Sequence, residues 1–97
     1  MAKQKNAIVN DSEIAKILTK KINSLGKSQI EIAEDIGFLN PNMVTMIKQG
    51  RTKVPIAKVK AIANTLEIEP KWLLKRCLKE YQPENWEVIK DIFGIEI

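Results

Sequence analysis

The chain has 97 residues, 44% of them hydrophobic and 29% charged, which is ordinary for one soluble globular domain. No apolar run approaches the roughly 18 residues of a membrane span, and the polar start lacks the apolar core of an export signal. Cys77 is the single cysteine, which excludes an internal disulfide and a thiolate-rich metal site. Histidine is absent, which removes the commonest general base. The composition therefore predicts a cytoplasmic, non-enzymatic protein without a metal or cofactor.

Charge is unevenly distributed along the chain. Residues 1–60 carry 11 basic and 5 acidic side chains, whereas residues 61–97 carry 5 and 7. A protein that presents one face to a polyanion shows such an asymmetry. Chance clustering on a solvated surface explains the charge equally well, so a nucleic-acid partner needs the support of a motif.

The first two predicted elements are an N-terminal arm and a helix. Residues 1–10 are polar and unpatterned, which predicts a flexible arm. Asp11 and Ser12 are favourable helix starts, and Gly26 is a favourable end. Between them, apolar side chains recur at helical spacing, and they are Ile14, Ile17, Leu18, Ile22 and Leu25.

A pair of short helices follows. Ser28-Gln29-Ile30-Glu31 is a capping-box pattern, and Gly37 supplies a left-handed terminus, so a second helix is predicted from about Gln29 to Ile36. Asn40 is a strong N-cap and Pro41 suits the first helical position, which predicts a third helix over about residues 41–49.

Prolines begin the remaining predicted helices. Pro55, Pro70 and Pro83 each begin an amphipathic segment. The apolar positions of the fourth helix are Val59, Ile62, Ala63 and Leu66. Those of the fifth are Trp72, Leu73, Leu74, Cys77 and Leu78, and those of the sixth are Trp86, Ile89, Ile92 and Phe93. Apart from the short tail of residues 94–97, no strand-like alternation competes. The predicted fold is an all-α, compact bundle of five short helices with a sixth, C-terminal helix.

Two short helices joined by a glycine-containing turn form a helix-turn-helix arrangement. Gln29–Gly37, Asn40–Gly50 and Arg51–Pro55 resemble the lambda-repressor-like, Cro/XRE-type helix-turn-helix domain. Val59–Leu66 resembles its fourth helix and Pro70-Lys71-Trp72-Leu73-Leu74 its closing motif, so the resemblance covers about residues 12–76.

The resemblance implies double-stranded DNA binding by residues 11–80 and a role as a transcriptional regulator, with a repressor favoured. Two recognition helices must lie about 34 Å apart to enter successive major grooves, and a two-fold axis achieves this. We therefore expect a homodimer on a palindromic operator. Residues 81–97 would add a C-terminal helix and tail.

The third helix carries the predicted base-reading residues. At 100° per residue, Val44 and Ile47 face the core, and the opposite face holds Asn42, Thr45, Met46 and Gln49. The candidates are Pro41, Asn42, Thr45, Met46 and Gln49. The resemblance matches Pro41, Asn42 and Met46 to base-reading positions, and a carboxamide pairs bidentately with adenine. Alternatively, Asn42 is a solvated polar residue. Met43 and Met46 could instead fill the core, and this role is favoured for Met43 only.

The predicted phosphate contacts flank that helix. Gln29, Asn40, Arg51, Thr52 and Lys53 are the candidates. Gln29 starts the second helix, where the helix dipole favours an anion, and it matches a phosphate-binding position of the family. Residues 51–53 match its backbone-contacting loop. Lys27 and Lys48 are weaker candidates, and each is equally well explained as a solvated charge.

Three positions depart from the family pattern. The chain has one extra residue in the turn after Gly37, at Phe38-Leu39, which leaves the docking of the recognition helix open. Pro41 replaces a polar base-reading residue. Glu67 stands where the family usually has glycine, which requires a left-handed non-glycine residue.

The apolar stripe of the sixth helix, formed by Trp86, Ile89, Ile92 and Phe93, has two explanations. It completes the core of the monomer, or it forms a homodimer contact. It also motivates a competing function, that of a protein-interaction module such as the antitoxin of a toxin–antitoxin pair, with DNA binding secondary.

Overall fold

The computed structural model of the protein describes residues 12–94. The predicted flexible arm and the last three residues of the predicted tail lie outside the described residues. The described part forms six α-helices and one 3₁₀ turn: α1 Glu13–Leu25, α2 Gln29–Ile36, α3 Asn42–Lys48, the turn Ile56–Lys58, α4 Val59–Leu66, α5 Pro70–Tyr81 and α6 Pro83–Phe93. The predicted all-α bundle is confirmed.

The first two helices are capped as the sequence predicts. The Ser12 hydroxyl accepts the backbone N–H of Ala15 at 3.0 Å at the start of α1. Ser28 and Glu31 form the reciprocal capping box of α2. Gly37 ends α2 in the left-handed region, with φ 96°, so each of these helices satisfies several of its terminal backbone groups locally.

The boundaries of two predicted helices need correction. The hydrogen-bonded part of α3 is one residue shorter at each end than predicted, although Pro41 already has helical φ −58° and ψ −23°. The fourth helix does not begin at Pro55, because that residue is extended, with ψ 128°. A 3₁₀ turn intervenes, and α4 starts at Val59.

All six helices contribute buried side chains. Ile14, Leu18, Ile32, Ile62, Leu66 and Leu73 are among the largest fully buried ones. Cys77 belongs to the same cluster, which confirms its expected place on a core face. Burial, with a smaller effect of Glu80, raises the pKa of the Cys77 thiol to about 11, so the thiol is protonated and unreactive at neutral pH.

Glu67 ends α4 with φ 61°, which confirms a left-handed residue at the position where the family usually has glycine. None of the helices in residues 12–94 has the length and apolar character needed to cross a bilayer.

The C-terminal helix α6 packs on α5. Trp86 is buried and Ile89 is half-buried, whereas Ile92 and Phe93 are each 73% exposed. One end of the predicted apolar stripe therefore completes the core of the monomer, and the other end is not covered by any residue between 12 and 94.

Candidate functional site

Helix α3 has a buried side and an accessible side. Val44 and Ile47 are 2% and 4% exposed, which confirms that they anchor the helix from behind. The predicted base-reading residues all lie at the surface, where Pro41, Asn42 and Gln49 are exposed and Thr45 and Met46 are partly exposed. Met43 packs against the core cluster, which agrees with the core-filling role favoured for it from the sequence.

The N-terminal end of α3 is held by one local contact. The backbone N–H of Asn42 donates to Asn40 Oδ1 at 2.9 Å, so Asn40 caps the helix as predicted. The side chains of Asn40, Pro41 and Asn42 are all exposed. This end of the helix is ordered by its own cap and presents its polar groups to solvent.

The C-terminal half of α3 is tied to α2 and α1 by side-chain hydrogen bonds. Gln29 Nε2 donates to Thr45 Oγ1 at 2.6 Å, and Lys48 Nζ donates to Gln29 Oε1 at 3.0 Å. The Thr19 hydroxyl donates to the backbone carbonyl of Lys48 at 3.1 Å. Gln29 and Thr45, predicted separately as a phosphate contact and a base contact, therefore belong to one cluster.

The start of α2 adds backbone donors beside this cluster. The capping box uses the backbone N–H groups of Ser28 and Glu31. Helix geometry leaves those of Gln29 and Ile30 without an intrahelical acceptor. Together with the ammonium group of Lys48, they make this corner of the molecule favourable for an anion.

The polar loop after α3 contacts Tyr81 at the C-terminal end of α5. Lys53 Nζ lies 5.5 Å from the centroid of the Tyr81 ring, and the backbone N–H of Val54 donates to Tyr81 Oη at 3.1 Å. Burial is the main reason why the pKa of Tyr81 rises to about 12. Arg51 is exposed, and its Nη1 donates to Gln49 Oε1 at 3.4 Å.

Sequence reasoning missed Tyr81 because nothing in the sequence links it to residues 27 positions earlier. Thr52, the remaining phosphate candidate, is partly exposed in the same loop. The phosphate candidates therefore lie in three places: Gln29 at the start of α2, Asn40 at the start of α3, and residues 51–53 in the loop after α3.

Lys27 is engaged elsewhere. Its ammonium group forms an ion pair with Asp35 at 3.0 Å, and both side chains are 47% exposed. The hydrogen bond and the charge of Asp35 raise the pKa of Lys27. The charge of Lys27 is compensated by the carboxylate of Asp35, whereas Lys48 donates to the uncharged Gln29. Lys27 therefore contributes less than Lys48 to the positive potential of the site.

A family model described as helix-turn-helix matches residues 12–73, which is most of the chain. Comparisons with curated proteins and with solved structures give no match.

Proposed function

Because this chain belongs to the lambda-repressor-like helix-turn-helix family of DNA-binding regulators, which are generally not enzymes, we propose that it is a repressor that binds specific sequences of double-stranded DNA. The observation that carries the proposal is the two-sided character of α3. Its buried side is anchored by Val44 and Ile47, and its other side presents polar and apolar groups of the kinds that read base edges.

The accessible edge of α3 supplies the proposed base contacts. Asn42 pairs with the N6 and N7 atoms of adenine, because its carboxamide offers one donor and one acceptor in the matching arrangement. Pro41 and Met46 supply apolar contacts. Thr45 presents its methyl group while its hydroxyl stays bonded to Gln29, and Gln49 is the candidate at the far end of the helix.

The proposed phosphate contacts flank that edge. Gln29 uses its backbone N–H and the second N–H of its side chain, because the first is already donated to Thr45. Asn40 contributes at the start of α3. Arg51, Thr52 and Lys53 contact the sugar-phosphate backbone from the loop that Tyr81 supports.

The proposal includes a homodimer on a palindromic operator, in which residues 11–80 form the DNA-binding domain. A single recognition helix reads only a few base pairs, and a two-fold axis sets two of them one helical turn apart. Repression follows from occupancy, because a protein seated on a promoter excludes other proteins from the same DNA.

Selection of bound sequences from random duplexes tests the proposal. We expect an enriched motif with two inverted half-sites about 10 base pairs apart, centre to centre. A variant with Lys53→Ala should enrich the same motif with weaker binding, since a phosphate contact carries no sequence information. Recovery of unenriched sequences at moderate salt would refute specific DNA recognition.

The uncovered end of α6 favours a second candidate function, in which the chain is an interaction module such as an antitoxin. Val88, Ile92 and Phe93 are all more than half exposed on this helix. A pull-down with the intact chain separates the two functions. Recovery of the chain alone argues against the module, whereas stoichiometric recovery of one other protein, lost with Ile92→Ser, supports it.

A further inference from the structure

The turn between α2 and α3 is held by the protein at both of its ends. Phe38 packs against the core, and its backbone N–H donates to the Ala33 carbonyl at 2.9 Å in the terminus of α2. Asn40 already caps α3. Leu39 lies between Phe38 and Asn40, and its side chain is 103% exposed, so none of residues 12–94 covers it.

Exposure alone does not assign a role to Leu39, because single apolar side chains are common on protein surfaces. Its position is more informative. It lies two positions before Pro41, and consecutive Cα atoms lie 3.8 Å apart, so the two Cα atoms are at most about 7.6 Å apart. Leu39 therefore lies beside the start of α3, where the proposed base contacts begin.

On this basis, and resting on the proposed DNA-binding function, we propose that Leu39 is a specificity-determining residue that contacts the 5-methyl group of a thymine. Leucine offers no hydrogen bond, and the thymine methyl is the apolar group that the major groove displays. The contacted thymine lies next to the base read by Asn42. Leu39 thus extends the base-reading surface past the N-terminus of α3.

The experiment compares the intact wild-type chain with Leu39→Ala on the duplex obtained by selection and on duplexes in which single thymines are replaced by deoxyuridine. Removing one contacted methyl group should weaken wild-type binding about four-fold at one position, from the transfer free energy of a methyl-sized group. Leu39→Ala should bind the thymine duplex several-fold more weakly and be insensitive to that replacement. The variant should fold normally, because the truncated side chain makes no packing contact.

Leu74→Ala is the control for the same substitution away from α3, at a leucine on α5 that is 38% exposed. We expect it to leave DNA affinity unchanged. The inference would be overturned if both variants lost DNA affinity equally, or if Leu39→Ala lost none. It would also be overturned if Leu39→Ala lost the same affinity on the thymine and deoxyuridine duplexes, because that result indicates contact with deoxyribose. Specific binding by the wild-type chain remains the separate test of the proposed function, so the two failures are distinguishable.

Discussion

The two ends of α3 differ in how the protein holds them. The C-terminal end is bonded to α2 and α1 through Gln29 and Thr19, whereas the N-terminal end has one local cap and exposed side chains. The difference separates two tasks. One end fixes where the helix lies, and the other is free to meet a partner without breaking contacts within the protein.

The largest effect is expected from the anchor of the C-terminal end. Ile47→Ala removes a buried side chain and should lower the free energy of unfolding by about 2–5 kcal/mol, through lost burial and a residual cavity. Urea denaturation measures the change. Ile92→Ala, at an exposed isoleucine, is the control and should change it by less than about 0.5 kcal/mol. Equal effects would show that α3 is not anchored at this end.

The N-terminal end should affect binding without affecting stability. Asn42→Ala removes a proposed contact to one base and should weaken binding to the selected duplex by about 1–3 kcal/mol, with relaxed preference at that position. Fluorescence anisotropy with single-base variants of the duplex measures both effects. Asn64→Ala, at an exposed asparagine on α4, should leave affinity unchanged. If Asn42→Ala proved equally harmless, Asn42 would be a solvated residue.

Gln29 should affect both stability and binding. Gln29→Ala leaves Thr45 and Lys48 without their hydrogen bonds, and we expect a loss of about 0.5–1.5 kcal/mol in the free energy of unfolding together with weaker DNA binding. A double-mutant cycle with Thr45→Val should show coupling between the two side chains. Strictly additive changes would mean that the contact contributes nothing.

An effect confined to alkaline pH concerns Tyr81, which supports the loop after α3. Its pKa of about 12 lies above the ordinary 10.0, so the folded chain holds the phenol proton more tightly than the unfolded chain. Its contribution to stability is therefore complete below pH 10 and is lost as pH rises toward 12. Stability measured against pH should fall less steeply in this range for Tyr81→Phe. The remaining slope belongs in part to Cys77, whose pKa is also raised. Parallel curves would exclude a buried phenol.

The sequence predicted the features that local interactions determine. The capping box at Ser28 and Glu31, the left-handed Gly37 and the burial of Val44 and Ile47 follow from patterns a few residues long. The left-handed Glu67 was expected from the family resemblance. The predicted start of the fourth helix was wrong, because proline is as compatible with the extended position before a 3₁₀ turn, which Pro55 occupies, as with the start of a helix.

Contacts between distant residues were not predictable. The bond between Gln29 and Thr45 and the support of Val54 by Tyr81 depend on how the helices pack. For the same reason, the pattern of α6 did not reveal that Trp86 is buried while Phe93 is exposed. Spacing shows which side chains share a helix face, but burial depends on the neighbouring element.

The most direct test of the account is an NMR titration of the assigned protein with the selected duplex. Amide shifts should change most over residues 39–46, with smaller changes at Gln29 and in residues 51–53, and those of α6 should change least. Shifts concentrated in α6, with α3 unaffected, would contradict the claim that the accessible edge of α3 reads DNA.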